Sequence, residues 1–350
     1  MDTMLKKKEK YNVAIMGATG AVGTQFLSIL DERNFPIDEL RLLASERSKG
    51  KIITFRGKEH KVQVAGENSF SGIDIVLASA GASRSKEFLP AAAGAGAVCV
   101  DNSSAFRMDE EVPLVVPEVN PHAVKTHKGI IANPNCSTIQ MVLPLSVAHK
   151  AAGLKRVVVS TYQSVSGAGQ NNILELERQV KGLCEKASHY SAGEHTVSPC
   201  EVNKFPYQIA YNLIPQIDVF LENNYTKEEM KMVEETRKIL EIPDLAVTAT
   251  CVRVPVYYAH SESVNIETQK KIFAKELAEL LRKFPGVTVV DDPEKAQYPM
   301  PLNAEGKDDV FVGRIRNDES VDNGINMWVV SDNLRKGAAL NTIQIAELLI

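Results

Sequence analysis

Cysteine is scarce in this sequence of 350 residues, and its five copies are widely scattered. A disulfide framework needs cysteines in even number at regular spacing, and a zinc site needs closely paired ligands. Neither pattern is present, so we predict no metal site, free thiols and a reducing, cytoplasmic compartment. The five positions are Cys99, Cys136, Cys184, Cys200 and Cys251.

The sequence also lacks an excess of either charge and any long apolar run. Its 40 basic and 44 acidic residues give a formal net charge of −4, whereas neutralising nucleic-acid phosphates requires a clustered basic excess. Apolar stretches such as Val157–Val159 are far shorter than the roughly 20 residues of a membrane helix. Gly17 interrupts the run Val13–Met16 too early for a secretory signal. We therefore expect neither a nucleic-acid nor a membrane partner.

The arrangement of apolar residues predicts an α/β fold with two domains. Short β-branched runs alternate with helical patterns over residues 1–135, which indicates a Rossmann-like dinucleotide-binding domain with a mostly parallel sheet. Over residues 136–333 the alternating units are fewer and the strands longer, which indicates an α+β domain with a mixed sheet. A helix within 334–350, apolar on one face, is expected to pack back on the first domain.

Individual elements of the second part can be placed from their periodicity. We predict helices at Ser137–Ala151, Lys227–Leu240 and Ala338–Leu349, and strands at Ala246–Arg253 and Val264–Glu267.

A glycine triplet follows the first predicted strand and opens the first helix. Gly17, Gly20 and Gly23 match G-x-x-G-x-x-G, a variant of the dinucleotide-binding fingerprint. Glycine allows a tight turn and lets the backbone approach a pyrophosphate, whose charge lies at the helix N-terminus. We predict that this loop, with the intervening Thr19, Ala21 and Val22, binds a nucleotide.

The residues after the second strand bear on which nucleotide binds. A carboxylate at this place favours NAD through the ribose hydroxyls, whereas a basic residue favours the additional phosphate of NADP. Arg47 and the neighbouring hydroxyls of Ser45 and Ser48 suit a phosphate, while Glu46 would repel it or point outward. The balance favours NADP.

Cys136 lies in the segment Asn133–Thr138, between a predicted strand and a predicted helix. The dipole and free N–H groups of a helix N-terminus lower the pKa of a thiol and stabilise an oxyanion. A nucleophilic thiol also needs an acid/base nearby in space. Among seven histidines, including His189 and His195 in polar contexts, His260 lies at the end of a β-type segment and is our candidate.

Two further segments end in polar side chains that a cleft needs. Gln163 is followed by Ser164–Gly169, a glycine-rich turn. Arg107 closes the segment that follows another strand of the first domain, where ligands of open parallel sheets bind. Its guanidinium can grip an anion through two parallel hydrogen bonds.

Taken together, these motifs resemble those of the aspartate-semialdehyde dehydrogenase family. The resemblance spans nearly the whole chain, and the Asn-Cys-Ser-Thr block followed by Gln-Ser-Val-Ser-Gly-Ala-Gly is its discriminating pair. The matching blocks are Gly17–Gly23, Ser45–Lys51, Asp101–Arg107, Asn133–Thr138, Tyr162–Gly169, Arg253–His260 and Asp332–Ala338.

The resemblance implies an NADPH-dependent reduction of L-aspartyl 4-phosphate to L-aspartate 4-semialdehyde, with release of phosphate. This reaction serves the biosynthesis of lysine and diaminopimelate, threonine, methionine and isoleucine. It further implies that the second domain is catalytic and dimerising, within a homodimer or homotetramer. Strictness for NADP over NAD stays open.

The resemblance also implies roles for individual residues. Cys136 would be the nucleophile, His260 the acid/base and Gln163 the group that orients the thioester or an attacking water. Arg107 and Lys231 would hold phosphate near Asn135, and Arg253 would bind the substrate carboxylate. Glu228 would contact the amino group, a role for which Glu229 competes. The further cofactor-binding residues implied are Ser79, Gly81, Ser166, Gly167 and Asn333.

Other functions fit parts of the pattern. An N-acetyl-γ-glutamyl-phosphate reductase or an acyl-CoA reductase has the same scaffold and thiol chemistry. A glyceraldehyde-phosphate dehydrogenase would carry Ser-Cys-Thr-Thr around the cysteine, which this chain lacks. A nucleotide-sensing protein without catalysis would be expected to lack at least one of Cys136, Gln163 and His260, and all three are present.

Overall fold

The computed structural model describes residues 5–186 and 201–350. Cys200, His189 and His195, named above, lie outside the described residues. Two six-stranded sheets and the helices packed on them make up the fold. None of the described helices is long and apolar enough to cross a membrane.

The first sheet is parallel throughout, as predicted. Its strand order is β5-β2-β1-β6-β7-β8. The direction in which successive strands are added to the sheet therefore reverses between β1 and β6, and ligands of such sheets bind at this point. A separate hairpin of β3 and β4, which the sequence did not predict, precedes β5. The strands are β1 (Tyr11–Met16), β2 (Ile37–Ala44), β3 (Ile52–Phe55), β4 (Lys58–Lys61), β5 (Gln63–Val64), β6 (Ile75–Ala78), β7 (Val98–Asp101) and β8 (Ile130–Ala132).

The second sheet is mixed, which confirms the α+β prediction for this part. Its order is β10-β9-β11-β14-β13-β12; the two outer pairs are parallel and the three inner pairs antiparallel. The strands are β9 (Leu154–Gln163), β10 (Ala246–Arg253), β11 (His260–Thr268), β12 (Val287–Val289), β13 (Val310–Asp318) and β14 (Gly324–Ser331).

Of the three helices predicted above, one has the observed bounds and the other two differ by one or two residues at each end. The predicted helix Lys227–Leu240 and strand Ala246–Arg253 are observed with the same bounds. The third helix begins at Cys136, one residue before its predicted start. The helices are α1 (Ala21–Glu32), α2 (Ala82–Gly94), α3 (Cys136–Ala152), α4 (Gln170–Lys186), α5 (Lys227–Leu240), α6 (Ala274–Leu281), α7 (Pro301–Ala304) and α8 (Leu340–Glu347).

The last helix starts later than predicted because a π-helical turn, Arg335–Ala339, precedes α8. The apolar residues of α8 join the core formed by β1 and α1. Ion pairs close the contact, from Arg335 to Glu32 at 2.6 Å and from Arg33 to Glu347 at 2.7 Å. The observed strand β11 is longer than the predicted strand Val264–Glu267, and it begins at His260.

Candidate active site

A cleft of about 510 Å³ opens between the carboxyl edge of the first sheet and the second sheet. Side chains far apart in sequence meet there, including fourteen of the residues proposed for the site. Those fourteen are Gly20, Ala21, Val22, Ser79, Arg107, Asn135, Cys136, Gln163, Ser166, Gly167, Glu228, Lys231, Arg253 and Asn333.

Cys136 is the first residue of α3, and Asn135 caps the helix. The Asn135 Oδ1 accepts hydrogen bonds from the backbone N–H groups of Ser137, at 3.0 Å, and Thr138, at 3.4 Å. Such a cap satisfies first-turn donors that have no partner within the helix. The N–H of Cys136 itself is not capped by Asn135, so it is free to face an oxyanion on an acyl carbon bound to the sulfur.

The expected lowering of the thiol pKa is wrong for this structure. Burial, and then the charge of Glu228, raise the pKa of Cys136 to about 12, although Arg107 and Arg253 act in the opposite direction. Moving a thiolate out of water raises its free energy by more than the helix N-terminus lowers it. The resting sulfur is therefore a thiol.

Arg107 is buried beside Cys136 and held in a fixed plane by three protein acceptors. Its Nε donates to Asn133 O at 2.9 Å, its Nη1 to Glu235 Oε1 at 3.0 Å and its Nη2 to Asn102 O at 3.1 Å. A guanidinium has five N–H bonds, so one on each Nη remains. Two parallel donors of this kind suit a phosphate or carboxylate.

Glu228 and Lys231 form a partly buried ion pair on the face of α5 that lines the cleft. Lys231 Nζ lies 2.9 Å from Glu228 Oε2 and 3.1 Å from Asp218 Oδ2. The other oxygen of Glu228 accepts from Asn135 and Gln163. Burial raises the pKa of Glu228, but Lys231 and these hydrogen bonds outweigh it and bring the pKa to about 2. Glu228 is therefore ionised.

Glu229 points away from this site. One of its oxygens accepts the Thr226 N–H in the capping box of α5, and the other accepts the Cys251 N–H at 3.0 Å. It does not line the cleft. Of the two carboxylates that competed for the substrate amino group, the geometry favours Glu228.

Strand register brings three of the site side chains into one row across the second sheet. Arg253 of β10 is paired with Gln163 of β9. The pairing of Ser261 with Tyr162 places His260 of β11 next to Gln163. Because side chains alternate faces along a strand, all three project from the same face. No sequence interval encodes this row; only the strand pairing does.

Gln163 is buried, and its orientation is fixed at both ends of its amide. Its Oε1 accepts from the Thr161 hydroxyl at 2.9 Å, and its Nε2 donates to Glu228 at 3.1 Å. The oxygen and nitrogen are thus assigned by their partners. One N–H of the amide remains for a group in the cleft.

His260 lies just behind the cleft lining, fully buried. The backbone N–H of Ser164 donates to its Nδ1 at 3.0 Å, while its Nε2 has no hydrogen-bond partner. A Cβ on Gly167 would lie 3.1 Å from this nitrogen, so the absence of a side chain at Gly167 keeps the approach open. Burial, and then the charge of Arg253, lower the pKa of His260 to about 3.

Asn333 connects the cofactor side of the cleft to the His260 loop. Its Oδ1 accepts from the hydroxyls of Ser164 and Ser166, both at 3.1 Å, and from the N–H of Ala259 at 3.0 Å. Its side chain also lines the cleft. This network holds the turn containing Gly167 against β11.

A second cavity of about 410 Å³ continues from the cleft along the first sheet, sharing Gly20 and Ser79 with it. A Cβ on Gly17, whose φ is +91°, would collide with Ser79 O, and one on Gly23 would collide with Gly17 O. The glycines therefore allow strand, turn and helix to approach closely, as the fingerprint requires. Of the proposed cofactor residues, this cavity is lined by Gly17, Thr19, Gly20, Ser45, Arg47 and Ser79.

Four proposed residues line neither cavity. Gly23 packs inside the turn, and Ser48 is buried with its hydroxyl 3.0 Å from that of Thr19. Gly81 is the N-cap of α2 with φ +88°, and His260 lies behind the lining. For these residues the structure offers a supporting position beside the cavities.

Sequence reasoning missed several residues of the site. Arg84 lines the second cavity near Arg47, and Asn102 lines the first. Gly337, in the π-helical turn, lies so close to the thiol that a Cβ there would be 2.9 Å from Cys136 Cβ. The buried Glu235 pairs with Arg107. The Asp332–Ala338 block was the only signal for Gly337, and no motif marks Glu235.

Among the described residues, no group of three or more histidine, cysteine or acidic side chains could hold a metal ion. The cations of the cleft are instead arginine and lysine side chains, so the site is built for organic anions.

Comparisons with known proteins agree with this geometry. Residues 12–127 match the family described as "Semialdehyde dehydrogenase, NAD binding domain", and residues 145–336 match "Semialdehyde dehydrogenase, dimerisation domain". The fold and the site thus define a semialdehyde dehydrogenase.

Individual relatives narrow the assignment. The chain is 58% identical to an aspartate-semialdehyde dehydrogenase of Aquifex aeolicus, over 97% of this chain and 98% of the relative. A crystal structure of aspartate semialdehyde dehydrogenase II complexed with ASA from Vibrio cholerae is 51% identical, with a TM-score of 0.91 and 98% of both chains covered. A Candida albicans aspartate semialdehyde dehydrogenase with NADP has 26% identity and a TM-score of 0.72, over 97% of this chain and 98% of that one. The chain belongs to the aspartate-semialdehyde dehydrogenase family.

Proposed function

We propose that this chain reduces L-aspartyl 4-phosphate to L-aspartate 4-semialdehyde with NADPH and releases phosphate, by way of a thioester on Cys136. The product feeds the biosynthesis of lysine and diaminopimelate, threonine, methionine and isoleucine. One observation carries the proposal: the thiol at the start of α3 shares a single cleft with Arg107, Lys231 and Arg253 and with the glycine loop at Gly20.

A thiol makes the reduction feasible because hydride does not readily reduce a carboxylate. The sulfur loses its proton and forms a bond to the acyl carbon, the bond from that carbon to the phosphate oxygen breaks, and phosphate leaves with the electron pair and, in the net balance, with the thiol proton. The resulting thioester is electrophilic enough to accept hydride, so covalent catalysis divides one difficult step into two easier ones. The uncapped N–H of Cys136 suits the oxyanion formed in each step.

Three cations beside one thiol suit a substrate with two anionic groups. We assign Arg107 and Lys231 to the phosphate, near Asn135, because both lie on the side of the cleft formed by α5 and the first sheet. Arg253 is assigned to the α-carboxylate, and its buried guanidinium donates to Ser164 O at 2.6 Å. The ionised Glu228 is assigned to the substrate ammonium group.

Gln163 and His260 are assigned to the acyl group. The remaining N–H of Gln163 orients the carbonyl of the thioester. The Nε2 of His260, which has no protein partner, is the acid/base group for the oxygen that gains charge. Gly167 leaves room beside this nitrogen.

The residues around the second cavity fit NADP. Gly17 and Gly20 allow the backbone to approach a pyrophosphate, and Arg47 with Arg84 would supply positive charge for the 2′-phosphate of the adenosine ribose. Ser79, Ser166 and Asn333 line the passage towards Cys136, where the nicotinamide belongs. NADPH supplies the hydride, and the protein supplies alignment and anion recognition.

We further propose that residues 1–135, completed by 334–350, form the NADP-binding domain and that 136–333 form the catalytic and dimerisation domain. The two separate sheets support this division. A homodimer or homotetramer is expected, supported by the match to a dimerisation domain. The described free thiols of Cys99, Cys136, Cys184 and Cys251 support a cytoplasmic location.

The test is the reverse reaction with the purified protein, aspartate semialdehyde, NADP and inorganic phosphate, followed by nicotinamide absorbance. We expect NADPH to form only when phosphate is present. Activity confined to the N-acetylated glutamate analogue or to an acyl-CoA would instead assign one of the related reductases. Cys136→Ala is expected to abolish turnover while NADP binding, measured by calorimetry, stays within twofold; retained turnover would exclude the thiol mechanism.

A further inference from the structure

Glu235 is a buried carboxylate on α5 that has no place in the assignments above. It follows Lys231 by four residues and Glu228 by seven, so all three lie on the same face of the helix. Its side chain is only 1% exposed, and it does not line the cleft. An acidic side chain this deep is normally paired.

The two oxygens of Glu235 accept from two different parts of the site. Oε1 accepts from Nη1 of Arg107 at 3.0 Å. Oε2 accepts from the backbone N–H of Asn135 at 2.6 Å. One carboxylate thus connects the loop after β7, which carries the Arg107 guanidinium, to the residue immediately before the nucleophile.

The first bond bears on phosphate binding. Glu235 is the one charged partner among the three acceptors that hold the Arg107 guanidinium, the other two being carbonyl oxygens. Hydrogen bonds to charged groups are the stronger kind. Glu235 is therefore the strongest of the three contacts that set the direction of the two remaining N–H bonds of Arg107.

The second bond bears on the thiol. Asn135 caps α3 through its side chain, and its backbone N–H is held by Glu235. Both ends of the capping residue are thereby fixed, and the Cys136 sulfur and N–H follow from its conformation.

The position of the Glu235 carboxylate suits only a group with two hydrogen-bond acceptors. Both partners of Glu235 are donors, whereas a glutamine amide has one acceptor and one donor. In Glu235→Gln, an N–H would therefore face either Arg107 or the Asn135 N–H. Aspartate keeps both acceptors but is shorter by one methylene, so it reaches at most one of the two donors well.

We propose that Glu235 is a positioning residue that sets the affinity of the Arg107 site for phosphate and, through Asn135, the placement of the Cys136 nucleophile. The proposal rests on the proposed function, in which phosphate is a product and Cys136 the acylated residue.

The experiment measures phosphate binding without turnover. Iodoacetamide alkylates Cys136, mass spectrometry of its peptide gives the rate, and inorganic phosphate protects the thiol at a half-protecting concentration. We expect Glu235→Gln to raise this half-protecting concentration by about tenfold or more, because the variant loses one charge-assisted hydrogen bond to Arg107. Glu235→Asp should fall between this variant and the wild type, and NADP affinity should stay within twofold in both.

Glu229→Gln is the matched control, since Glu229 is also a buried carboxylate of α5 with two N–H partners but has no contact with Arg107. It should keep the wild-type half-protecting concentration. Arg107→Lys should raise that concentration as well, and adding Glu235→Gln to Arg107→Lys should raise it little further, because both changes remove the same contact.

The outcomes separate the two proposals. If the wild type forms NADPH with phosphate but Glu235→Gln and Glu235→Asp keep its half-protecting concentration, the positioning role is wrong and the function stands. Equal losses of phosphate and NADP affinity would show a general structural role and also overturn it. Failure of Glu235→Gln to fold leaves Glu235→Asp to decide. A wild type that phosphate neither activates nor protects would overturn both proposals.

Discussion

The backbone N–H of Ser164 donates to Nδ1 of His260 at 3.0 Å. A nitrogen that accepts from a backbone N–H carries no proton, so neutral His260 bears its hydrogen on Nε2, on the side of Gly167. His260 is therefore prepared to donate a hydrogen bond to a developing oxyanion. To act as a base, its imidazole must first lose this arrangement.

We accordingly predict that His260 is the neutral Nε2–H tautomer throughout the neutral range in the protein without substrate. Burial, and then Arg253, bring its pKa to about 3, well below the usual 6.5. Nitrogen-15 NMR of labelled histidine should show one ring that does not titrate between about pH 5 and 8, and His260→Asn should remove it. Titration of that ring near its usual pKa would contradict the tautomer assignment.

Removing the charge of Glu228 should make Cys136 more reactive. The carboxylate raises the pKa of the thiol, so Glu228→Gln lowers this pKa and increases the thiolate fraction at a given pH. We expect iodoacetamide to alkylate Cys136 several-fold faster at pH 8, while the KM for aspartate semialdehyde rises. Glu229→Gln is the control and should change neither quantity, because Glu229 bonds only to backbone N–H groups. An unchanged rate in Glu228→Gln would show that burial alone governs the thiol.

Arg47 is predicted to select NADP over NAD. It lines the second cavity with Ser45 and Arg84, and a guanidinium pairs well with a phosphate. Arg47→Ala should raise the KM for NADP by about tenfold to a hundredfold and change that for NAD by less than twofold. Steady-state kinetics with both cofactors check this. An equal rise in the KM for NADP and for NAD would mean that Arg47 stabilises the loop and does not bind the 2′-phosphate.

A side chain at Gly337 is predicted to displace the nucleophile. Its Cβ would lie 2.9 Å from Cys136 Cβ and 3.3 Å from its Cα, and such overpacking costs about 1–3 kcal/mol. Gly337→Ala should lower kcat strongly while the Tm falls by only a few degrees. Gly182→Ala is a comparison for the backbone effect alone, because Gly182 is also a helical glycine but has open space around it. Wild-type kcat in Gly337→Ala would contradict the contact.

Glu262 is predicted to destabilise the fold at neutral pH. It lies two residues after His260 on β11, and neither of its oxygens makes a hydrogen bond of normal geometry. Burial raises its pKa well above 4.5, although the side chain of Gln140 opposes this. A raised carboxyl pKa gives stability below the unfolded pKa that is lost as pH increases. Glu262→Gln should therefore raise the Tm at pH 7, with a gain that shrinks towards pH 4, as calorimetry across this range will show. A gain independent of pH would contradict a protonated Glu262.

Much of this molecule could be predicted from sequence because its motifs end secondary-structure elements. The glycine loop, the start of α3 and the turn after Gln163 each combine a periodic segment with residues of special backbone chemistry. The row of Arg253, Gln163 and His260 could not be predicted, because strand register decides it and no local signal encodes register. Glu235 lies in a highly charged helix, α5. The sequence of this helix does not show that one of its faces is buried against α3.

The pKa of the Cys136 thiol also depends on parts of the chain that are distant in sequence. The helix N-terminus beside Cys136 is visible in the sequence. The depth of burial and the charge of Glu228, from a helix about ninety residues away, decide the sign of the shift. Neither quantity is a property of the segment that contains the cysteine.

The packing of α8 on the first sheet has a consequence for synthesis. Leu340, Ile343 and Leu349 complete the apolar interior that Val13 and Ile15 begin. During translation, the nucleotide-binding half emerges from the ribosome first but remains with one flank uncovered until these residues follow, more than three hundred positions later. The nascent chain must keep this surface from aggregating for nearly the whole time that a ribosome spends on it.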